Sequence, residues 1–286
     1  MLGLAAALVV AAALGYAGWR LWLKSSDMLR PVVVLRTADA RALAQPPLGE
    51  RVNVLLTGTD VHGLKSLPMR KLIALTFDDG PYPVTTPLLL GRLRDLHVPA
   101  TFFLIGRDAE QFPDLARAIA ADGHEIADHT LTHPDLDRLP PAAVVAELRD
   151  GAAALERIAP DPAARRLFRP PHGRYTADTL VAAQSAGFDT ILWNDDPGDW
   201  RAVGPDALLR HIVAHATVPE IVLLHSGRVA TVDALPAVVA WYRAAGYRFV
   251  TVGSLLQTAS ADEVNEAFKA SSIGIPIPRH VPASAP

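Results

Sequence analysis

The chain has 286 residues, a formal net charge of −3 and a hydrophobic content of 50%. This length suits one α/β domain of barrel size better than two domains. The near-neutral charge and the absence of a basic block give no support for a nucleic-acid partner. Because the chain contains no cysteine, disulfide bonds and thiolate metal sites are excluded, and any metal must be held by histidine and carboxylate side chains.

The first 24 residues differ in kind from the rest. Residues 2–18 are uncharged and apolar apart from Tyr16, and Arg20 and Lys24 follow them. Because a preceding basic region is missing and residues 15–17 form only a weak cleavage site, we expect a hydrophobic helix that serves as an uncleaved membrane anchor rather than a cleaved signal peptide. The positive charges after this segment favour a cytoplasmic domain. An upstream basic region lost through a mis-assigned start codon would remove that preference.

The remainder divides by composition into three parts. Residues 25–70 form an extension with one predicted strand, 52–56, because prolines 46 and 47 and glycine 58 interrupt any longer periodicity. Residues 71–258 carry regular patterns of apolar residues and form the predicted folded domain. Residues 259–286 are polar and then proline-rich, which predicts a tail of low order.

Apolar runs and amphipathic stretches alternate throughout the predicted domain. The predicted strands are 72–77, 100–105, 124–128, 166–169, 188–194, 220–225 and 247–252. The predicted helices are 86–96, 109–122, 141–158, 177–186, 205–216 and 232–245, with glycines 123, 187 and 246 at helix ends. About seven strand–helix units predict a parallel sheet with outer helices, for which a closed or nearly closed (β/α) barrel is the natural architecture.

The first predicted strand of this domain ends in two adjacent carboxylates. Asp78 and Asp79 follow an apolar run and precede a Gly-Pro turn, so the strand carries acidic side chains to its C-terminal end. Adjacent side chains on an extended strand point in opposite directions, so Asp78 and Asp79 need not share one role. An ordinary acidic turn explains this segment equally well when it is taken alone.

Two histidine pairs have the spacing of a metal site. His129 and His133 directly follow a predicted strand, and their spacing places both imidazoles on one side of a helical turn. His211 and His215 have the same spacing but lie within a predicted outer helix. Because barrel active sites form where strands end, we expect metal binding at His129 and His133. Neither pair has the adjacent glutamate of the metalloprotease pattern.

Three further strand ends carry polar side chains. The first is Arg-Pro-Pro-His-Gly at 169–173, the second is Asp-Asp-Pro-Gly-Asp-Trp at 195–200, and the third is an apolar strand that ends in His225. Taken singly, they are explained by a proline-rich turn, an acidic turn and a core histidine. A proline-rich turn does not explain the presence of Arg169 and His172.

In this order the five strand ends resemble the polysaccharide deacetylase family, carbohydrate esterases that remove acetyl groups from chitin-like, peptidoglycan and xylan polymers. The resemblance runs from about residue 71 to 256. Its motifs are Thr-Phe-Asp-Asp-Gly at 76–80, His-Thr-x-x-His at 129–133, Arg-Pro-Pro-x-Gly at 169–173, Asp-x-Gly-Asp-Trp at 196–200, and the strand ending at 225. The resemblance implies a distorted (β/α) barrel of about seven parallel strands with outer helices.

The resemblance also implies a divalent metal as cofactor. Asp79, His129 and His133 would be its ligands, and two neutral imidazoles with one carboxylate leave positions open for water and substrate. Zinc is the expected ion, with cobalt or another divalent ion as alternatives. Such an ion lowers the pKa of water and polarises the acetyl carbonyl.

Four residues would carry the proton transfers in a member of this family. Asp78 would be the general base, and Arg169 would keep it ionised and correctly turned. His225 would be the general acid that protonates the leaving amine or alcohol. Asp199 would orient His225 and support its positive charge.

The resemblance places three further residues around the substrate. Trp200 and Leu223 would line the apolar pocket for the acetyl methyl group. The backbone N–H of His172 would help to bind the oxyanion, at a position where the family usually has tyrosine. A backbone donor survives this exchange, so the exchange affects sugar preference rather than activity. Ser226 stands where many relatives have aspartate.

We therefore expect a metal-dependent hydrolase that removes acetyl groups from an N-acetylated glycan, either peptidoglycan or a chitin-like oligosaccharide, and releases acetate. The alternatives are an O-acetyl polysaccharide esterase and a catalytically silent glycan-binding module, although all the motif residues are present. The chain lacks the Gly-x-Ser-x-Gly motif of a serine hydrolase. Such an enzyme would be membrane-anchored with its catalytic domain outside the cytoplasm, or secreted if the first segment is cleaved. The sequence does not indicate an oligomeric state.

Overall fold

The computed structural model of the chain describes residues 34–35, 71–161 and 166–258. The predicted helix within residues 1–24, the predicted strand 52–56 and the tail 259–286 lie outside these residues. Within them, no helix combines the length and the apolar character needed to cross a membrane.

Strands and helices alternate along the described chain. The strands are β1 (Val34–Leu35), β2 (Leu72–Asp78), β3 (Thr101–Leu104), β4 (Glu125–Asp128), β5 (Leu167–Phe168), β6 (Asp189–Ile191), β7 (Glu220–His225) and β8 (Arg248–Phe249). The helices are α1 (Thr85–Leu96), α2 (Gly106–Gln111), α3 (Pro113–Ala121), α4 (Pro141–Ile158), α5 (Ala177–Ser185), α6 (Pro205–His215) and α7 (Val229–Ala244). Short 3₁₀ turns occupy Leu136–Arg138, Pro171–Gly173 and Asp199–Arg201, and residues 252–258 are helical.

The strands form one curled, mostly parallel sheet in the order β1-β6-β5-β4-β3-β2-β7, and β8 also pairs with β2. Only β1 runs antiparallel to its neighbour among the described strands. A parallel bridge between Asp195 and Val222 joins the segment after β6 to β7. The sheet therefore curls into a half-barrel covered by helices, consistent with the predicted distorted (β/α) barrel.

Alternation along β2 separates two apolar clusters. Ile73, Leu75 and Phe77 are fully buried in the cluster between the sheet and helices such as α1 and α7. Leu72 and Ala74 belong to a second cluster, with core residues of the neighbouring strands. Since side chains on a strand alternate between faces, Thr76 and Asp78 share the side of Leu72 and Ala74. Asp78 therefore extends the inner face of the sheet.

All seven strands predicted within residues 71–258 are present. β7 has the predicted bounds, β2 is one residue longer, and the other five are shortened by one to three residues at one or both ends. The single helix predicted over residues 109–122 is wrong, because the chain forms α2 and α3 with Phe112 between them. Pro113 lacks a backbone N–H and therefore begins a new helix rather than continuing the old one.

Candidate active site

Four strands of the sheet end at one place. The register pairs Asp78, the last residue of β2, with His225, the last residue of β7. Asp128 at the end of β4 pairs with Phe168 of β5, so His129 and Arg169 leave adjacent strands side by side. Because parallel strands have their carboxyl ends on the same edge, four of the predicted motifs meet there.

Arg169 and Asp78 form a buried ion pair. The guanidinium Nη1 donates to Asp78 Oδ1 at 2.6 Å and to Thr76 Oγ1 at 2.7 Å, and Nη2 donates to the Leu192 carbonyl at 3.1 Å. The guanidinium also lies 4.0 Å from the centroid of the Phe103 ring. Burial lowers the pKa of Arg169 below its usual 12.5, and the charge of Asp78 opposes this shift. The arginine fixes one carboxylate oxygen of Asp78.

The side chains of Asp79, His129 and His133 converge on one point. Their ligand atoms all lie within 4.8 Å of one another. Asp79 Oδ1 is 3.3 Å from Nε2 of His133 and 3.6 Å from Nε2 of His129. Among the described residues this is the one group of three carboxylate or imidazole side chains with such spacing. A carboxylate with two imidazoles is a donor set that suits a divalent transition metal.

The protonation states of this group also fit a metal site. Burial lowers the pKa of His129 below its usual 6.5, despite the charges of Asp78 and Asp79. His129 Nδ1 lies 2.8 Å from the Arg169 carbonyl, which can only accept, so Nδ1 carries the proton and Nε2 presents its lone pair towards Asp79. Burial alone would raise the pKa of Asp79, but the hydrogen bond from His133 and the charges of three histidines lower it to about 2.

The backbone between the two histidines does not form the helical turn expected from the sequence. Thr130 and His133 adopt positive φ values of 69° and 61°. The N–H groups of residues 131–133 are bonded to Glu147 and to the Thr130 side chain instead of to carbonyls of a preceding helical turn. The two rings nevertheless approach to 4.8 Å between their centroids.

His225, the register partner of Asp78, is held by Asp199. The imidazole Nδ1 lies 2.7 Å from Asp199 Oδ1, and Asp199 Oδ2 accepts from the His225 backbone N–H and from the Thr231 hydroxyl, both at 2.7 Å. Burial disfavours the charged imidazole, but the hydrogen bond to Asp199 and the negative charges around it outweigh burial and raise the pKa of His225. His225 therefore favours its protonated form more than an exposed histidine does.

The three predicted substrate residues lie in different surroundings. His172 has φ 57°, its Nδ1 is 3.0 Å from Asp135 Oδ1, and its ring lies 4.6 Å from that of His133. Leu223 is buried in β7, two residues before His225, so both side chains point to the same face. Trp200 is 46% exposed and stacks with the Arg201 guanidinium, so its indole forms part of the surface.

The second histidine pair has another environment. His211 Nε2 lies 2.9 Å from Oδ1 of the buried Asp195, and the His211 and His215 rings stack at 4.2 Å. His215 Nδ1 bonds to the His211 carbonyl, within the same helix. This pair on α6 thus ties the helix to the segment after β6.

Comparison with known proteins agrees with the arrangement of these motifs. Residues 65–191 match the family model for polysaccharide deacetylase. The chain is 38% identical over 192 residues to a peptidoglycan-N-acetylglucosamine deacetylase of Bacillus cereus. The aligned region covers 65% of this chain and 89% of the relative. The chain is 42% identical over 168 residues to a chitooligosaccharide deacetylase of Bradyrhizobium, covering 59% and 74%. The chain belongs to the polysaccharide deacetylase family.

Solved structures of this family have the same fold. The crystal structure of a peptidoglycan N-acetylglucosamine deacetylase superposes with a TM-score of 0.62 at 34% identity, over 65% of this chain and 87% of that one. A family 4 carbohydrate esterase pseudoenzyme from Bacillus anthracis superposes nearly as well, with a TM-score of 0.61 at 27% identity over 66% of each chain. The polysaccharide deacetylase fold alone therefore does not establish activity, and the side chains must be considered.

Some residues that build this family site carried little or no signal in the sequence. The Ser226 hydroxyl lies 3.2 Å from the Asp78 carbonyl and 3.0 Å from the Asp79 carbonyl, which joins the end of β2 to the end of β7. The position of Ser226 directly after His225 was its one available signal. Glu147 lies inside the predicted helix 141–158 and Thr231 directly before the predicted helix 232–245, where nothing local distinguishes either residue from its neighbours.

Proposed function

We propose that this chain is a metal-dependent N-deacetylase that hydrolyses the acetamido group of an N-acetylated glycan, either peptidoglycan or a chitin-like oligosaccharide. The supporting observation is that the clustered side chains of Asp79, His129 and His133 lie at the same edge of the sheet as two separately held groups, Asp78 on Arg169 and His225 on Asp199. The names of the relatives support glucosamine-containing glycans as substrates.

The ligand cluster fits a divalent ion by its chemistry. Asp79 is ionised, and neutral His129 directs Nε2 towards it, so both offer lone pairs without first losing a proton. Asp79, His129 and His133 would hold zinc, or alternatively cobalt or another divalent ion. When bound, the ion supplies Lewis-acid activation of water and of the acetyl carbonyl.

The remaining side chains divide the proton transfers between them. Asp78 accepts the proton of the attacking water, and Arg169 holds its carboxylate in one orientation. His225 donates a proton to the leaving nitrogen as the carbon–nitrogen bond breaks, which yields acetate and a free amine. Asp199 keeps His225 turned to the site and favours its protonated form.

The protein groups proposed to contact the substrate belong to the same arrangement of side chains. The backbone N–H of His172 assists in stabilising the oxyanion, and Leu223 and Trp200 border the space for the acetyl methyl group. The exposed His172 imidazole pairs with Asp135 and lies against the His133 ring, so it borders the site. The glycan preference therefore depends in part on this imidazole.

A location outside the cytoplasm fits a glycan of the cell envelope. We propose that the catalytic domain is exported and tethered by residues 1–24, whose apolar composition suits an anchor. Protease treatment of intact cells, with lysed cells as the control, tests this. A domain that is cleaved only after lysis contradicts the proposal.

Acetate release from acetylated chitooligosaccharides and from peptidoglycan tests the activity directly. The full-length protein is assayed in detergent, with chelator and with zinc restored after chelation. Release that the chelator abolishes and zinc restores supports the proposal, and the preferred polymer identifies the substrate. One equivalent of bound zinc without acetate from either polymer contradicts it and favours an O-acetyl substrate or a silent binding module.

A further inference from the structure

The loop that carries both histidine ligands is conformationally strained. This histidine loop, residues 129–133, has Thr130 at φ 69° and His133 at φ 61°. Such values are unfavourable for residues with a side chain, and especially for β-branched threonine, so the surroundings must hold them in place. The identity of the groups that hold the loop therefore bears on how the two imidazoles are aimed.

Glu147 on α4 supplies most of the contacts that hold the middle of the loop. Its carboxylate Oε2 accepts from the Thr132 backbone N–H, and Oε1 accepts from the Thr132 hydroxyl, both at 2.8 Å. The Glu147 backbone carbonyl accepts from the Leu131 N–H at 3.1 Å. One residue thus binds three donors of the histidine loop.

The same face of α4 is shaped to receive the loop. Gly151 lies one helical turn after Glu147 and on the same face. A Cβ atom at Gly151 would lie 2.6 Å from Asp128 Oδ1 and 2.9 Å from the Leu131 nitrogen. The loop therefore lies directly on the helix backbone, and Glu147 fixes it there from the side.

We propose that Glu147 is a positioning residue for metal binding, which acts by holding the histidine loop so that His129 and His133 face Asp79. This inference rests on the proposed function, since it assigns Glu147 to the metal site proposed there. The carboxylate is not one of the three clustered ligands, so its effect passes through Thr132 and the loop backbone. Groups that orient metal ligands typically change metal affinity when they are removed.

Zinc affinity of the full-length protein, measured by competition with a chromophoric chelator and without substrate, tests this role. Glu147→Ala removes both carboxylate bonds and is expected to weaken zinc binding by about 10- to 100-fold. Glu147→Gln retains an acceptor for the Thr132 N–H and an amide that can pair with the hydroxyl, so its affinity stays near that of the wild type. The matched control is Glu156→Ala, which changes an exposed glutamate on the same helix and leaves affinity unchanged.

A double-mutant cycle separates the loop contact from a general loss of structure. Thr132→Val, which removes only the hydroxyl contact, weakens zinc binding in the wild type and has less effect in the Glu147→Ala background. Thermal unfolding of each zinc-free variant shows whether the fold survives. Additive losses in the cycle would contradict the loop mechanism.

Besides additive losses in the cycle, three results overturn the proposal, and a fourth result separates it from the proposed function. Unchanged affinity in Glu147→Ala overturns it, and so does a loss in Glu147→Gln as large as that in Glu147→Ala, because the negative charge would then be responsible. A wild-type protein that binds no zinc overturns both this inference and the proposed metal site. If the wild type binds zinc but releases no acetate, the proposed function fails while the affinities still decide the role of Glu147.

Discussion

Arg169 and Asp78 are buried together, with 2.6 Å between the guanidinium Nη1 and the carboxylate Oδ1. Arg169 lies over the rings of Phe103 and Trp193 and both side chains of the pair are buried, so both charges have left water at a cost in free energy. Such a pair contributes little net stability, but it holds the carboxylate in one orientation beside the histidine cluster. The presence of this pair is better explained by the orientation that it gives Asp78 than by a gain in stability.

Removal of Arg169 should therefore destabilise the fold as well as the site. Arg169→Met leaves Asp78 as an uncompensated buried charge, and we expect a loss of about 3–5 kcal/mol in the free energy of unfolding. Denaturant unfolding measures this loss, and the double variant with Asp78→Asn should lose less. Arg157→Met is the control, because its pair with Glu110 is exposed and contributes at most about 1 kcal/mol. Equal losses at the two arginines would contradict this account.

Experiments should distinguish the proposed metal ligands from the proposed general acid. Asp79→Ala and His129→Ala remove ligand atoms and should lose both bound zinc and activity. His225→Ala should keep zinc, because His225 is not one of the clustered ligands, and should lower kcat by about 10²- to 10⁴-fold. Metal analysis and acetate release on the same protein samples measure both quantities. Full activity in His225→Ala would exclude the general-acid role.

The strand ends of this site could be predicted because each apolar run stops at a polar residue, and parallel pairing then aligns the ends. Asp78 and His225 are far apart in sequence, yet their register places them side by side. The conformation of residues 129–133 could not be predicted, since the spacing of His129 and His133 also fits a helical turn. Three hydrogen bonds of that loop come from Glu147 on a later helix and two from the N–H groups of Gly106 and Arg107 on α2, and these contacts depend on tertiary packing that no local pattern records.

The pH dependence of the reaction should change when Asp199 is replaced, because Asp199 raises the pKa of His225. A general acid must be protonated, so activity falls as the pH rises through the pKa of His225. Burial lowers that pKa, and Asp199 raises it together with the charges of Asp78 and Asp79, so Asp199→Asn removes the largest effect that opposes burial and should move the falling limb to lower pH. By the same linkage, the pair stabilises the fold below the unfolded-state pKa of about 6.5 and loses this contribution as the pH rises through the raised folded-state value.

NMR titration of the His225 ring in zinc-free protein measures the pKa of this group without turnover. Thr231→Val is the matched control, because it removes one hydrogen bond from Asp199 Oδ2 and leaves the charge in place. Because the charge remains, its shift should be smaller than that of Asp199→Asn. An unchanged His225 titration in Asp199→Asn would show that the raised pKa has another source.

Replacement of two helical glycines by alanine should change the stability of the protein in opposite directions. A Cβ at Gly151 of α4 would lie 2.6 Å from Asp128 Oδ1 and 2.9 Å from the backbone of Thr130, so Gly151→Ala must displace the histidine loop. Overpacking of this kind costs about 1–3 kcal/mol. Gly91 of α1 has no atom outside its own helix within 4 Å of the added Cβ, so Gly91→Ala should stabilise the protein by about 0.5–1 kcal/mol.

Thermal unfolding of zinc-free protein ranks the two glycine variants, and zinc affinity then shows whether the histidine loop is involved. Gly151→Ala should weaken zinc binding because the displaced loop carries His129 and His133, whereas Gly91→Ala should leave it unchanged. If Gly151→Ala unfolds at a lower temperature yet binds zinc as tightly as the wild type, the strain is relieved within the helix. In that case the close approach of α4 supports the fold but does not aim the histidines.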